Sequence, residues 1–198
     1  MTHIVQDGLS ATITVLLPVL AQTFGLSYAQ VGMLRGLKGL VQAIVEMNSG
    51  WLSERFGESQ TLSIGLIFSA LGYALISVAP GLATVAGGLA VVGIGTALHH
   101  APSSALIAST FSLGKRSSAL GLYNASGDVG KLAFSGGFSF AAGAGMAWYQ
   151  TTLIYAGLSV LAAFVVIVMS TTLRHKAHHA EPDTGGTGAN DANGAISR

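Results

Sequence analysis

The sequence has no cysteine and few charged residues. Lys and Arg number 9 and Asp and Glu number 8 among 198 residues, so charged residues make up 9% of the chain, against about 25% in ordinary soluble domains. The absence of cysteine excludes a disulfide framework, thiolate metal sites and thiol catalysis. The net charge of +1 excludes a nucleic-acid-binding protein that works by bulk electrostatics. So few charges cannot cover the surface of a soluble domain.

Apolar residues take the place of the missing charges. Hydrophobic residues make up 51% of the chain, and the mean hydropathy is +0.61. Because a membrane-spanning helix needs about 20 predominantly apolar residues, residues 1–173 are predicted to form an all-α integral membrane bundle of six transmembrane helices. The expected spans are residues 2–24, 29–52, 61–78, 82–110, 117–143 and 149–173. Residues 174–198 are predicted to form a disordered cytoplasmic tail, because most of this segment is polar and rich in Gly, Asn and Asp.

Basic residues outside the spans lie on one side of the predicted bundle. Arg55, Lys115, Arg116, Arg174 and Lys176 follow the second, fourth and sixth spans. The loops after the other three spans contain no Lys or Arg. The positive-inside rule therefore predicts that both termini are cytoplasmic, and the expected location is the plasma (inner) membrane.

Six ionisable residues other than histidine fall at membrane depth, where charge is costly and marks a pathway or a site. At about 100° per residue, polar residues form one face on each of the first, second, fourth and fifth helices. The third and sixth helices carry no charge within their apolar runs and are expected to face lipid. This order of two polar helices and one apolar helix, repeated once, predicts the three-plus-three repeat of secondary transporters. The six residues are Asp7, Arg35, Lys38, Glu46, Asp128 and Lys131.

These polar faces supply the candidate site residues. Cationic and amide side chains are predicted to bind an anionic solute, because Arg and Lys attract carboxylate or phosphonate groups. The predicted solute-binding residues are Arg35, Lys38, Gln42, His100, Asn124 and Lys131. Carboxylates and imidazoles in a partly dehydrated site can exchange protons, so the predicted proton-coupling residues are His3, Asp7, Glu46 and Asp128. The alternative for the charged residues is mutual neutralisation; Asp128 and Lys131, three residues apart, can pair along one helix.

Enzymatic chemistry has no support in the sequence. There is no nucleophile–base motif and no phosphate loop; the segment Gly93-Ile94-Gly95 lacks a third glycine and a preceding strand. We therefore expect no catalytic residues, no cofactor and no nucleic-acid partner.

The loop after the second predicted helix carries a recognisable motif. Residues 49–57 read SGWLSERFG, which resembles the major facilitator superfamily signature G-x-L-x-[DE]-R-x-G. The resemblance implies that Glu54 and Arg55 form part of a cytoplasmic gate. Residues 58–60, Glu-Ser-Gln, replace the second basic cluster of the signature.

The segment of about residues 3–140 is similar to the fosmidomycin-resistance branch of that superfamily. The similarity rests on His3, Asp7 and Pro18 in the first helix and on residues 93–104 in the fourth, which include His99-His100. Leu89 stands where many proton-coupled members carry Arg, and Phe134-Ser135 replaces the Gly-Pro of the antiporter signature. The resemblance implies solute efflux, and these departures weaken a direct assignment of proton–drug antiport.

The chain has half the usual length of this family, whose members have two six-helix halves. We therefore predict a secondary active transporter that works by alternating access as a parallel homodimer of six-helix halves. A separately encoded second half, or a fragment of a longer protein, is the alternative assembly. Alternative functions are a divalent metal-ion transporter that uses His3, Asp7, His99 and His100, and a non-transporting membrane subunit. The predicted secondary transporter of an anionic solute needs no metal ligands.

Overall fold

The computed structural model describes residues 2–179, excluding the side chains of residues 101, 104–106, 108–109 and 173–179. The described chain is all-helical, as predicted. Its helices are α1 (Thr2–Phe24), α2 (Tyr28–Phe56), α3 (Glu58–Ser77), α4 (Leu82–Thr110), α5 (Leu113–Gly143) and α6 (Trp148–His179).

Short connections between helices have local causes. Gly25, with φ +63°, reverses the chain after α1, and Ser27 and Gln30 then form a reciprocal capping box at the start of α2. A single residue, Gly57 with φ +89°, separates α2 from α3. The loop predicted between residues 52 and 61 is therefore wrong in length, because a glycine can turn the chain within one residue.

α6 is longer than predicted. It continues to His179, past residue 173, where the tail was expected to begin. Residues 174–179 contain neither Gly nor Pro, so their composition does not stop a helix. The rest of the predicted tail, residues 180–198, lies outside the described residues.

Four of the described helices are long and apolar enough to cross a membrane: α1, α3, residues 82–100 of α4 and residues 148–172 of α6. α2 and α5 have sufficient length, at 29 and 31 residues, but their charged residues lower their hydropathy. For α2 and α5 the expected membrane span therefore stays a prediction.

Four of the helices pack as two equivalent pairs. α1 lies against α5, and α4 lies against α2. If the first three helices correspond in order to the last three, α1 corresponds to α4 and α5 corresponds to α2. The pair α1–α5 then corresponds to the pair α4–α2, which is the relation expected of a three-plus-three repeat. α3 packs between α4 and α6, and its Ile64, Ile67, Leu71 and Leu75 form an exposed apolar face.

Glycines allow the closest helix crossings. A Cβ atom at Gly65 would approach the carbonyl oxygen of Gly95 to 2.9 Å, and one at Gly88 would approach that of Gly72 to 2.9 Å. Both pairs join α3 to α4. Small residues of this kind let membrane helices gain van der Waals contact where no hydrophobic driving force separates helix from lipid.

The α3–α4 crossing generates a prediction from two adjacent glycines. Gly88→Ala should destabilise the fold by about 1–3 kcal/mol, because the new methyl group meets the Ile76 side chain at 2.6 Å and α3 backbone. Gly87→Ala is the matched control, because a Cβ atom there meets nothing within 4 Å. Thermal unfolding in detergent, followed by tryptophan fluorescence, measures both. Equal unfolding temperatures for the two variants would contradict this packing.

Candidate functional site

A polar cavity of about 350 Å³ lies where α1, α2, α4 and α5 meet. Its volume falls within the range of small-molecule sites. The wall contains three cationic side chains and a single carboxylate among the described residues. The lining residues are Asp7, Ser10, Ala11, Ile13, Thr14, Leu17, Arg35, Lys38, His100 and Lys131.

Asp7 is the electrostatic centre of the cavity wall. It is only 5% exposed, and groups from three helices approach its carboxylate. Lys131 Nζ of α5 lies 3.3 Å from Oδ2, His3 Nε2 of α1 lies 3.5 Å from Oδ2, and His100 Nε2 of α4 lies 3.5 Å from Oδ1. A buried carboxylate needs such partners, because removing one leaves an uncompensated charge in a medium of low dielectric.

Lys131 is shared between two carboxylates. Its Nζ lies 3.0 Å from Asp128 Oδ1 and 3.3 Å from Asp7 Oδ2. The two acidic side chains differ in environment, since that of Asp128 is 71% exposed and that of Asp7 is 7% exposed. Lys131 therefore links the buried carboxylate to an exposed one on its own helix.

The two cations of α2 that line the cavity have no acidic partner among the described side chains. Lys38 Nζ donates to Ser10 Oγ at 2.8 Å and to Gln42 Oε1 at 3.0 Å. Arg35 forms no ion pair with any of the described residues and is exposed. The cavity thus keeps uncompensated positive charge on the side formed by α2.

Aromatic stacking holds the histidines. The His3 ring stacks on Tyr123 with centroids 3.6 Å apart, and on His99 with centroids 6.0 Å apart. His100 lies almost perpendicular to His3, at 5.9 Å. α5 comes this close because its residue opposite His3 and Asp7 is Gly127, where a Cβ atom would collide with both side chains.

A buried amide network forms a second polar cluster that the sequence analysis did not identify. Gln6 is fully buried on α1, and its Nε2 donates to Ser69 Oγ of α3 at 2.9 Å and to Thr96 Oγ1 of α4 at 3.3 Å. Ser69 Oγ donates in return to Gln6 Oε1 at 3.1 Å. An uncharged glutamine gives a weaker sequence signal than a charge, although its proximity to Asp7 could have drawn attention to it.

The structure brings together part of the predicted site. Asp7, Arg35, Lys38, His100 and Lys131 line the cavity. His3 contacts Asp7, Gln42 contacts Lys38, and Asp128 contacts Lys131, all three from outside the lining residues.

Glu46 and Asn124 do not line this cavity. Each shares the predicted face of its helix but differs in depth. At 1.5 Å per residue, Glu46 lies about 12 Å along α2 from Lys38, and Asn124 lies about 10 Å along α5 from Lys131. A shared angular position on a helix therefore does not imply a shared site.

The gate residues occupy the end of α2. Glu54 and Arg55 are exposed, and neither forms an ion pair with the side chains that the structure describes. The Arg55 guanidinium lies 5.5 Å from the centre of the Trp51 ring, within cation–π range. Their gating role stays a prediction.

Three potential metal ligands lie together at the wall of the cavity, although the predicted transporter function included no metal ligands. Ligand atoms of His3, Asp7 and His100 all lie within 4.8 Å of one another. His99, which the alternative metal-transport hypothesis included, does not belong to this group.

Comparison with known proteins identifies similar proteins that are named as transporters. The family model for the Major Facilitator Superfamily matches residues 2–194. The uncharacterized MFS-type transporter YfnC of Bacillus subtilis (strain 168) is 26% identical over 129 residues, covering 65% of this chain and 31% of that protein.

Two further relatives match a similar part of the chain. The fosmidomycin resistance protein of Escherichia coli (strain K12) is 24% identical over 130 residues, 66% of this chain and 32% of that protein. The probable 4-methylmuconolactone transporter of Cupriavidus pinatubonensis (strain JMP 134 / LMG 1197) is 31% identical over 106 residues, 54% of this chain and 25% of that protein. The matched segments thus cover about a third or less of each relative.

The Gln6 network generates a prediction of energetic coupling between helices. Gln6→Met and Ser69→Ala should be less than additive in the free energy of unfolding, with a coupling of about 0.6–1.7 kcal/mol, the average and the maximum measured for interhelical hydrogen bonds in membranes. A double-mutant cycle by detergent-induced unfolding measures it. The control pair is Thr23→Val with Ser69→Ala, because Thr23 Oγ1 bonds only to its own helix among the described residues. Equal coupling in both cycles would contradict the network.

Proposed function

The chain belongs to the Major Facilitator Superfamily, and from that membership we propose that it transports a small anionic solute by alternating access as part of a dimer of six-helix halves. Its relatives support the coarser statement that it is an integral membrane protein of a secondary transporter family. The anionic solute, the dimer and the direction of transport, which we propose is efflux, are the finer parts of the proposal.

The unbalanced charge of the cavity carries the proposal of an anionic solute. Arg35, Lys38 and Lys131 face a space that also holds Asp7 as its sole described carboxylate. Arg35 is free of ion pairs among the described residues, and its guanidinium fork fits the two oxygens of a carboxylate or phosphonate group. Lys38 adds a second cation already oriented by Ser10 and Gln42.

Proton coupling would act through the ion pair of Asp7 and Lys131. A solute anion that binds Lys131 must compete with the carboxylates of Asp7 and Asp128. A proton on Asp7 removes one of those competitors and leaves Asp128 as the other carboxylate with which the solute must compete. His3 and His100 lie 3.5 Å from the same carboxylate, and their imidazoles can relay the proton.

A partner half is proposed to cover the charged faces of α2 and α5. The Asp128 side chain is 71% exposed and that of Lys131 is 48% exposed, and Arg35 is exposed on α2. Facing lipid, each such charge costs roughly 2.5–3.5 kcal/mol at the centre of a helix on the insertion scale. A second six-helix bundle on these faces removes the cost and encloses the cavity from the open side.

α2 also carries a surface suited to close helix contact. A Cβ atom at Gly32, Gly36 or Gly39 would meet nothing within 4 Å, and these glycines lie beside the charged face. We propose that a second copy of this chain packs here; a separately encoded half would use the same surface. In the proposed orientation both termini are cytoplasmic in the plasma (inner) membrane, which places Glu54 and Arg55 at the cytoplasmic gate.

Binding of a small anion tests the solute proposal. Fosmidomycin, for which one relative is named, and a panel of small carboxylates serve as probes in calorimetry on the purified chain. Arg35→Ala and Lys38→Ala should each weaken binding at least tenfold, about 1.4 kcal/mol, because each removes a cation from the cavity. Lys115→Ala is the control, since it removes the same charge from an exposed position outside the cavity. Equal affinity in all variants would contradict an anion site in this cavity.

Native mass spectrometry of the chain in nanodiscs tests the dimer. The wild-type chain expressed alone should give mainly dimers, and Gly36→Leu should shift the population towards monomer because the added side chain blocks close approach. Gly87→Leu is the control, since that position is also open but belongs to α4, which carries no Lys, Arg, Asp or Glu. A stable wild-type monomer that gains transport only with another polypeptide would refute the homodimer.

A further inference from the structure

We propose that His3, Asp7 and His100 form a binding site for a divalent transition-metal ion, best matched by Zn²⁺, and that the ion competes with Lys131 for Asp7. The site goes beyond the proposed anion transport and does not depend on it. Its residues come from two helices: His3 and Asp7 are four residues apart on one face of α1, and His100 reaches them from α4.

The spacing of the ligand atoms fits a zinc ion. In a tetrahedral site with metal–ligand distances of about 2.0–2.1 Å, neighbouring ligand atoms are about 3.4 Å apart. His3 Nε2 lies 3.5 Å from Asp7 Oδ2, and His100 Nε2 lies 3.5 Å from Asp7 Oδ1. The three ligand atoms lie within 4.8 Å of one another, so small side-chain shifts would bring them to the spacing of a zinc site. Two imidazoles and one carboxylate form a donor set that suits zinc, and the cavity beside His100 and Asp7 leaves a fourth position for water.

Unpartnered polar atoms at the same place provide independent support. His3 Nε2 and Asp7 Oδ1 are buried, and neither has a hydrogen-bond partner among the described residues. A buried polar atom without a hydrogen bond is unfavourable, and a metal ion would engage both. The Tyr123 ring, stacked on His3, holds the imidazole in a fixed orientation.

Lys131 would compete with the metal ion for the carboxylate of Asp7. Its ammonium group lies 3.3 Å from Asp7 Oδ2, so a divalent ion on that carboxylate would meet strong repulsion from it. Lys131 has a second partner, Asp128, at 3.0 Å. It can therefore leave Asp7 to the metal ion and retain an ion pair.

His99 is outside this site. Its ring is parallel to that of His3, with centroids 6.0 Å apart, and is fully buried. Adjacent helical residues diverge by about 100°, so only His100 of this pair faces Asp7. The proposed site thus has three protein ligands rather than the four of the metal-transport hypothesis.

Calorimetric titration of the purified chain with ZnCl₂ tests the proposal. His175, His178 and His179 are replaced by Ala in every sample, and the affinity tag contains no histidine, so that zinc binding elsewhere is reduced. One zinc ion per chain is expected. His3→Ala and His100→Ala should each weaken binding at least tenfold, while thermal unfolding curves establish that these variants remain folded.

Lys131→Gln provides the decisive arm, because it should tighten zinc binding at least tenfold, and misfolding cannot produce a tighter site. Lys115→Ala removes a cation elsewhere on α5 and should leave the affinity unchanged. The visible absorption of Co²⁺ bound in place of zinc should show tetrahedral coordination that His100→Ala abolishes. Zinc affinity unaltered in Lys131→Gln, or unaltered in both histidine variants, would overturn the proposal.

Discussion

The burial of Asp7 is the constraint on which the rest of the site depends. A carboxylate that is 5% exposed inside a membrane bundle must be neutralised or hydrogen-bonded at close range. Lys131 can contact the Asp7 carboxylate only if α5 packs closely against α1. Gly127 and Gly130 make that approach feasible, because a side chain at either would collide with α1. The buried charge on α1 therefore depends on the glycines of α5, because they allow the close approach that brings Lys131 to Asp7.

The two equivalent helix pairs explain why the polar groups converge. α1 with α5 and α4 with α2 present their polar faces to the same space, and α3 stands behind α1 and α4. The bonds of Gln6 to Ser69 and Thr96 tie α1 to both α3 and α4 at the level next to Asp7. This network fixes the wall from which Asp7 and His100 project. The open side, formed by α2 and α5, carries the charges that remain exposed.

The sequence predicted the number and type of helices and the main charged residues because hydropathy and charge are local signals. The bounds predicted for α1 and α4, residues 2–24 and 82–110, are those that the structure has. Angular position placed Arg35, Lys38, Asp7 and Lys131 on cavity-facing sides but carried no information on depth, so Glu46 and Asn124 were grouped with a cavity they do not line. Tyr123 and Gly127 were missed because their roles arise from which helix packs opposite them. The end of α2 at Phe56 was missed because a single glycine, Gly57, makes the turn that follows. The extension of α6 to His179 was missed because residues 174–179 neither stop nor strongly favour a helix.

Under the two proposals, Lys131 would give the cavity two electrostatic states, because it has two carboxylate partners. While it pairs with Asp7, the buried carboxylate is compensated and one cation is withheld from a solute. When a proton or a metal ion takes Asp7, Lys131 keeps Asp128 as its partner and the cavity gains positive charge. Both events therefore act in the same direction, towards stronger attraction of an anion. By linkage, an anion in the cavity must in turn favour the proton or metal ion on Asp7 by the same free energy. If both proposals hold, cation and anion binding at this site are cooperative, because the ion pair between Asp7 and Lys131 opposes each of them.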